Sequence, residues 1–96
     1  MLILAQIDLS GADLDLFEEY ESKALKLLAQ YGARIEERLR SINGCFEVHL
    51  LYFPDAASLE LYRSDPTRAA LQGTWLRSGA QSALMEVERL QSPHAQ

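Results

Sequence analysis

Ala33-Arg34-Ile35-Glu36-Glu37-Arg38-Leu39-Arg40-Ser41-Ile42 and Cys45-Phe46-Glu47-Val48-His49-Leu50-Leu51-Tyr52-Phe53 flank the pair Asn43-Gly44. Asn-Gly tolerates the positive φ angles of a two-residue type I′ turn, so the stretch predicts a β-hairpin. If Ile42 faces Cys45, residues whose numbers sum to 87 stand opposite one another. Leu39 then pairs with Val48 and Ile35 with Tyr52 on one face, while Arg40 meets Glu47 and Arg38 meets His49 on the other. The first face is oily and the second charged. The Arg- and Glu-rich first strand suits an exposed sheet edge, and the more apolar second strand suits the interior.

Upstream, Met1 to Leu9 is a short apolar run without a basic residue, which reads as a strand and not as a secretory leader. From Asp13 to Tyr31, the residues Leu14, Phe17, Tyr20, Ala24, Leu28 and Tyr31 recur at the three-and-four spacing of one helix face. Ser10 or Asp13 can cap this helix, Asp15, Glu18 and Glu19 favour its positive end, and Gly32 offers a left-handed stop. Downstream, Pro54-Asp55 opens a second helix with Ala56, Leu59 and Tyr62 facing inward, until Ser64-Asp65-Pro66 breaks it. A short turn from Pro66 to Gln72 ends at Gly73, a loop carries Trp75 and Gly79, and Ala83 to Leu90 alternates as a last strand.

The order βαββαβ implies an α+β, ferredoxin-like fold, with a four-stranded antiparallel sheet ordered 4-1-3-2 and both helical segments on one face. Ile3, Ala5, Ile7, Met85 and Val87 are expected beneath the helices. Gln6, Glu36, Arg38, Arg40, Glu47, His49, Leu51, Glu86 and Glu88 are expected on the open face, which is either solvated or paired with a second sheet. Residues 1–90 form the expected domain, and residues 91–96 a flexible tail.

A chain of 96 residues, 48% hydrophobic and 24% charged, suits one ordinary globular core. Fourteen acids against nine bases give a net charge of −5 without a basic stripe, so nucleic acid is not an expected partner. No run reaches the ~18 to 20 apolar residues that cross a bilayer, so no membrane is expected, and the cytoplasm fits. Cys45 is alone, and only His49 and His94 could supply imidazoles, so neither a disulfide nor structural zinc is expected. The chain has no Gly-rich phosphate loop, nucleophile elbow, Cys-x-x-Cys or His-Glu-x-x-His motif, which removes nucleotide hydrolysis, serine hydrolysis and zinc proteolysis.

Phe17-Glu18-Glu19-Tyr20, Leu28-Ala29-Gln30-Tyr31-Gly32-Ala33-Arg34 and the run from Phe53-Pro54-Asp55-Ala56-Ala57 to Leu61-Tyr62-Arg63-Ser64-Asp65 carry a resemblance. They are similar to the domain-of-unknown-function family thirteen-thirty, within the dimeric α/β-barrel superfamily. The similarity runs from the first strand to Leu90. It departs where the family's paired glycines become Gly32-Ala33, where its Glu-Gly near the hairpin is missing, and where the aromatic after Ser-Asp gives way to Pro66-Thr67. The resemblance implies a homodimer whose sheets pack into a barrel, and no particular activity. The broader superfamily includes cofactor-free monooxygenases, haem-degrading enzymes and isomerase-like proteins. Haem degradation fits badly, since no histidine falls near the second helix.

His49 with Glu47 two residues away can form a proton-transfer pair, or simply line an interface. Arg38 and Arg40 can clamp an anionic ligand, although Arg40 opposite Glu47 also reads as a structural ion pair. Tyr20, Tyr31, Tyr52, Tyr62 and Trp75 either fill the core or line a cleft for a small organic molecule between helices and sheet. No metal or cofactor is expected. Two other readings stay open: a cofactor-independent enzyme using His49 with Glu47 and Arg38, and an accessory module that binds a protein partner.

Overall fold

Alternating apolar runs and well-marked helix ends produce the expected order. The computed structural model describes residues 1–91. Four strands, β1 (Leu2–Asp8), β2 (Arg34–Arg40), β3 (Phe46–Tyr52) and β4 (Gln81–Val87), form one antiparallel sheet in the order β2-β3-β1-β4. This is the ferredoxin-like arrangement, with the edge and central roles of β2 and β3 as expected. The expected tail and His94 lie, beyond Gln91, outside the described residues.

Helix α1 (Leu14–Lys26) is capped by Asp13, whose carboxylate accepts from the Leu16 amide at 3.1 Å. A 3-10 turn (Leu28–Tyr31) continues it to Gly32, which has a φ of 69° and brings its backbone close under Pro54. A side chain at Gly32 would meet both obstacles. Helix α2 (Ala56–Arg63) is capped by Asp55, which accepts from the Ser58 amide at 2.8 Å. Such caps each contribute about 1 kcal/mol. Within α2, Tyr62 is buried and Leu59 half-buried, but Ala56 is exposed.

Three expectations need correction. First, the hairpin turn is not a two-residue type I′ turn. Ser41 and Phe46 close it through the Ser41 amide and the Phe46 carbonyl at 2.8 Å, and Gly44 alone takes a positive φ, of 76°. Asn43 instead uses its side-chain oxygen to accept from Ser41 Oγ at 2.7 Å and from the Cys45 amide at 3.0 Å. The register survives because Ser41 opposite Phe46 keeps the same offset. Arg40 meets Glu47, Leu39 meets Val48 and Arg38 meets His49. An irregularity at Glu36 then shifts the pairing, so Ile35 faces Leu51 and not Tyr52.

Second, Trp75 is not in a loop. Helix α3 (Pro66–Ala70) gives way at Leu71 to helix α4 (Gln72–Ser78), so Gly73 lies inside a helix and Trp75 is turned inward against Phe17 and Tyr20. The strand after it also starts earlier, at Gln81.

Third, the faces of β3 and β4 are reversed. Ile3, Ala5 and Ile7 are buried, as expected, and their β3 partners are Leu51, His49 and Glu47. Glu47 and His49 are each only 2% exposed, and Leu51 is buried with them. The charged row therefore lies beneath the helices. Pairing of Leu4 with Met85 and Leu2 with Val87 carries Met85 and Val87 to the open face, while Glu86 stands opposite Ile3 on the helix side. The open face consequently gathers Leu2, Leu4, Leu39, Phe46, Val48, Leu50, Tyr52 and Met85. Leu39 is 59% exposed and Met85 46%.

The core divides in two. One cluster joins Ile3, Leu27, Leu28, Ala33, Leu51, Phe53 and Tyr62, and the other joins Ile7, Leu9, Phe17 and Ala80. Phe17 and Phe53 are fully buried, each stabilising the fold by about 2 to 3 kcal/mol. Ala5 sits on β1 between the two clusters, flanked by His49 and Leu84, and belongs to neither. Its methyl is too small to close the gap, and there a cleft opens.

Candidate active site

The cleft has a volume of about 140 Å³. Its floor is the sheet at Ala5, His49 and Leu84, and its walls include Tyr20, Glu21, Tyr62 and Trp75. The rings of Tyr20 and Trp75 pack with centroids 5.0 Å apart. Tyr62 is anchored by its hydroxyl, which donates to the Ala24 carbonyl at 3.2 Å, and burial pushes that hydroxyl up to about 12. These aromatics are held in place, and most of the lining is apolar.

Three polar groups, His49, Glu47 and Glu21, converge beneath the helices, and His49 and Glu21 line the cleft. His49 Nε2 lies 2.5 Å from Glu47 Oε2. Glu47 in turn accepts from Arg38 Nε at 2.9 Å, and from Arg40 Nε at 2.9 Å and Nη2 at 2.7 Å. Burial alone would raise the Glu47 carboxyl, but hydrogen bonds from His49, Arg38 and Arg40 outweigh it and hold the group below its ordinary range. An ionised carboxylate can only accept, which assigns the proton on His49 to Nε2. In the neutral ring the other nitrogen then carries a lone pair. Glu18, on α1, also reaches Arg38 and Arg40, so the helix and the hairpin share one ion network.

The third group, Glu21, comes from α1. Phe17, Glu21, Ala24 and Leu28 fall on one stripe of the helix and its continuation, and all four are buried. Glu21 is 5% exposed, and its one polar neighbour within salt-bridge range is His49 Nδ1, at 3.7 Å. Desolvation raises its carboxyl to about 7, with nearby Glu47 and Glu18 adding to the rise and Arg38 and Arg68 opposing it. Glu21 can therefore hold or release a proton near neutrality, beside an imidazole lone pair. That combination can accept a proton from a bound molecule and return it.

Glu21, Glu47 and His49 bring one ligand-type atom each within 4.8 Å of one another. The sequence reading did not foresee this cluster. Both Glu47 oxygens are already engaged by guanidinium groups, which leaves Glu21 and His49 Nδ1 as uncommitted donors. Two donors fall short of the three or four that zinc sites use.

The sequence-derived candidates thus divide. His49, Glu47, Tyr20, Tyr62 and Trp75 are brought together at or beside the cleft. Arg38 is not in it. It lies behind Glu47, donating to that carboxylate through Nε and to Glu18 through Nη2. Tyr52 lies on the opposite face of the sheet, where the Arg34 guanidinium stacks over its ring at 4.2 Å. Tyr31 is also elsewhere, donating to Asp65 and packing edge-on to Tyr62. Glu21 and Arg68 were missed. Glu21 was detectable as a carboxylate four residues after Phe17 and three before Ala24, within an otherwise apolar stripe.

Solved structures share this architecture. SnoaB, a cofactor-independent oxygenase from Streptomyces nogalater, matches with a TM-score of 0.70 at 14% identity, over 97% of this chain and 96% of its own. An uncharacterised NIPSNAP domain protein from Burkholderia xenovorans matches with a TM-score of 0.65 at 20% identity, over 98% of this chain and 100% of its own. A dimeric ferredoxin-like protein of unknown function from Jannaschia sp. CCS1 gives 0.63 at 17% identity, over 91% and 100%. No family model and no curated protein sequence matches the chain. At these identities the likeness defines the class of fold, ferredoxin-like α+β. No helix among the described residues is long and apolar enough to cross a membrane.

Proposed function

We propose that residues 1–90 form one protomer of a homodimeric α/β barrel, and that each cleft binds a small organic molecule and moves a proton on it. The observation that carries this reading is Glu21, a buried carboxyl whose ion-pair partner among the described residues is His49 Nδ1 at 3.7 Å, an imidazole whose other nitrogen is fixed by an anchored carboxylate. Glu21 in its protonated form and His49 through Nδ1 act as acid and base; Glu47, held by Arg38 and Arg40, orients His49. The aromatic walls of Tyr20, Tyr62 and Trp75 exclude water and give the ligand its apolar contact. Such chemistry suits a cofactor-independent oxygenase or isomerase, and SnoaB carries the first of those activities on this class of fold.

The dimer is supported by the bare apolar face of the sheet, since contiguous patches of this kind mark interaction surfaces. The Jannaschia protein is described as dimeric. The motif resemblance to family thirteen-thirty points the same way. Native mass spectrometry of freshly purified protein tests assembly and ligand together. The expected mass is two chains plus a small component; a bare single chain would contradict both parts of the proposal.

A further inference from the structure

Besides Glu21 and His49, the cleft is lined by Arg68 on α3, whose charge reaches Glu21 and Asp65 but which, among the described residues, closes no ion pair. Arg34, Arg38, Arg40 and Arg63 each lie within 4.0 Å of a glutamate oxygen, at the distances 3.0, 2.9, 2.7 and 3.7 Å respectively. Among the described residues no carboxylate comes within that range of Arg68. Its guanidinium stacks on Tyr62 with its carbon 5.0 Å from the ring centre, and Nη1 donates to the Arg63 carbonyl at 3.3 Å. Its Nε–H is buried and, among the described residues, has no acceptor. An unpaired buried donor is costly, so a stacked arginine without a carboxylate is a place where a ligand acceptor would be favoured.

The backbone keeps Arg68 there. Asp65 caps α3 by accepting from the Thr67 amide at 2.8 Å and from the Arg68 amide at 3.0 Å, and Asp65 is itself held by Tyr31. The guanidinium thus stands on a fixed turn and a fixed ring at the wall of an apolar cleft. The remaining walls are aromatic, and the volume is close to the roughly 150 Å³ of a cavity that accommodates benzene.

We infer that the molecule bound in this cleft is a single-ring aromatic acid of the benzoate class, its ring against Trp75 and Tyr20 and its carboxylate on Arg68. This inference rests on the proposal that the cleft binds an organic molecule, and it adds the charge and the ring number. A neutral ligand of the same shape leaves Arg68 unpaired, and the volume matches one ring.

Trp75 is the only tryptophan in the chain and lines the cleft, so its fluorescence reports binding there. Titrations with benzoate, its neutral analogue benzamide, and acetate separate charge from ring. Benzoate is expected to bind about tenfold more tightly than benzamide, with acetate causing no change in emission. Arg68→Met, checked for folding by its melting curve, is expected to bring the benzoate Kd to that of benzamide. If that variant does not fold, the ratio of benzoate to benzamide in the unaltered protein decides alone. Equal binding of benzoate and benzamide would overturn the acid assignment and leave the cleft reading standing. If no aromatic probe alters Trp75 emission, the cleft reading itself fails.

Discussion

The two faces of the sheet reverse the usual distribution of polarity. Beneath the helices lie Glu47 and His49, each 2% exposed, while the open face presents Leu4, Leu39, Phe46, Leu50 and Met85. Burial of a charge is tolerable only where partners replace water, and the helix side supplies them: two guanidinium groups for Glu47 and a carboxylate for the His49 ring. Among the described residues the open face has no such polar network, and needs none if another apolar surface covers it. Polarity therefore does not tell inside from outside in this sheet. It separates a face with a buried ion network from a face of exposed apolar side chains.

The strongest way to break that comparison is a charge on the open face. Leu50→Lys, at the centre of β3 and opposite Leu4, should weaken self-association by about 4 kcal/mol, roughly a thousandfold in Kd, with the fold retained. Sedimentation equilibrium of the parent and the variant measures this; an unaltered dimer would place the interface elsewhere. Arg38→Glu, on the other face, should leave assembly alone and disturb Glu47 instead.

The next largest effect belongs to Glu21. Its folded carboxyl stands at about 7 against an ordinary value of 4.5, so the folded state binds this proton more tightly than the unfolded chain does. That contribution is fully present below about pH 4.5 and is lost progressively as the pH rises to about 7, in total on the order of 3 kcal/mol. Glu21→Gln abolishes this dependence. Urea denaturation at several pH values should show the variant gaining on the parent across that window and levelling off above it. A difference that does not change with pH would contradict the buried state of Glu21.

A smaller loss is expected from Glu47→Ala. Arg38 and Arg40 retain Glu18 and can turn to water, so the cost falls mainly on the buried His49 nitrogen, about 2 kcal/mol in chemical denaturation. Restoring most of that stability with Glu47→Gln, which preserves an acceptor for His49, would sharpen the assignment of Glu47 as a positioning residue. If Ala and Gln behave alike, the hydrogen bond to His49 is not what matters.

Much of the fold was legible in the sequence because the deciding signals are local. Asp13, Asp55 and Pro66 mark helix starts, Gly32 marks a stop, and the hairpin register followed from the Asn43-Gly44 position even though the turn itself is longer. The faces were not legible, because alternation with a period of two sorts residues into two sets without saying which set meets the helices. On β3 the apolar set Phe46, Val48, Leu50 and Tyr52 looks like the core, and burial of Glu47 and His49 instead depends on Arg38 and Arg40 reaching across from β2, a tertiary fact. Helix α4 was lost because Gly73 reads as a terminator, whereas packing of Trp75 onto Phe17 and Tyr20 overrides that local preference. At the site, His49 and Glu47 were recognisable as a pair on one strand. Arg68 was not, since its role depends on the stack with Tyr62 and on the absence of a nearby carboxylate among the described residues.

All of this turns on one carboxyl. Carbon-13 NMR titration of the glutamate side-chain carboxyls, with the Glu21 signal assigned by its disappearance in Glu21→Gln, measures it directly. A midpoint near 7 is expected, well apart from the exposed glutamates. A midpoint at their ordinary value would mean that Glu21 is solvated or paired, and the helix side of the sheet would then have no group poised to exchange a proton with a ligand.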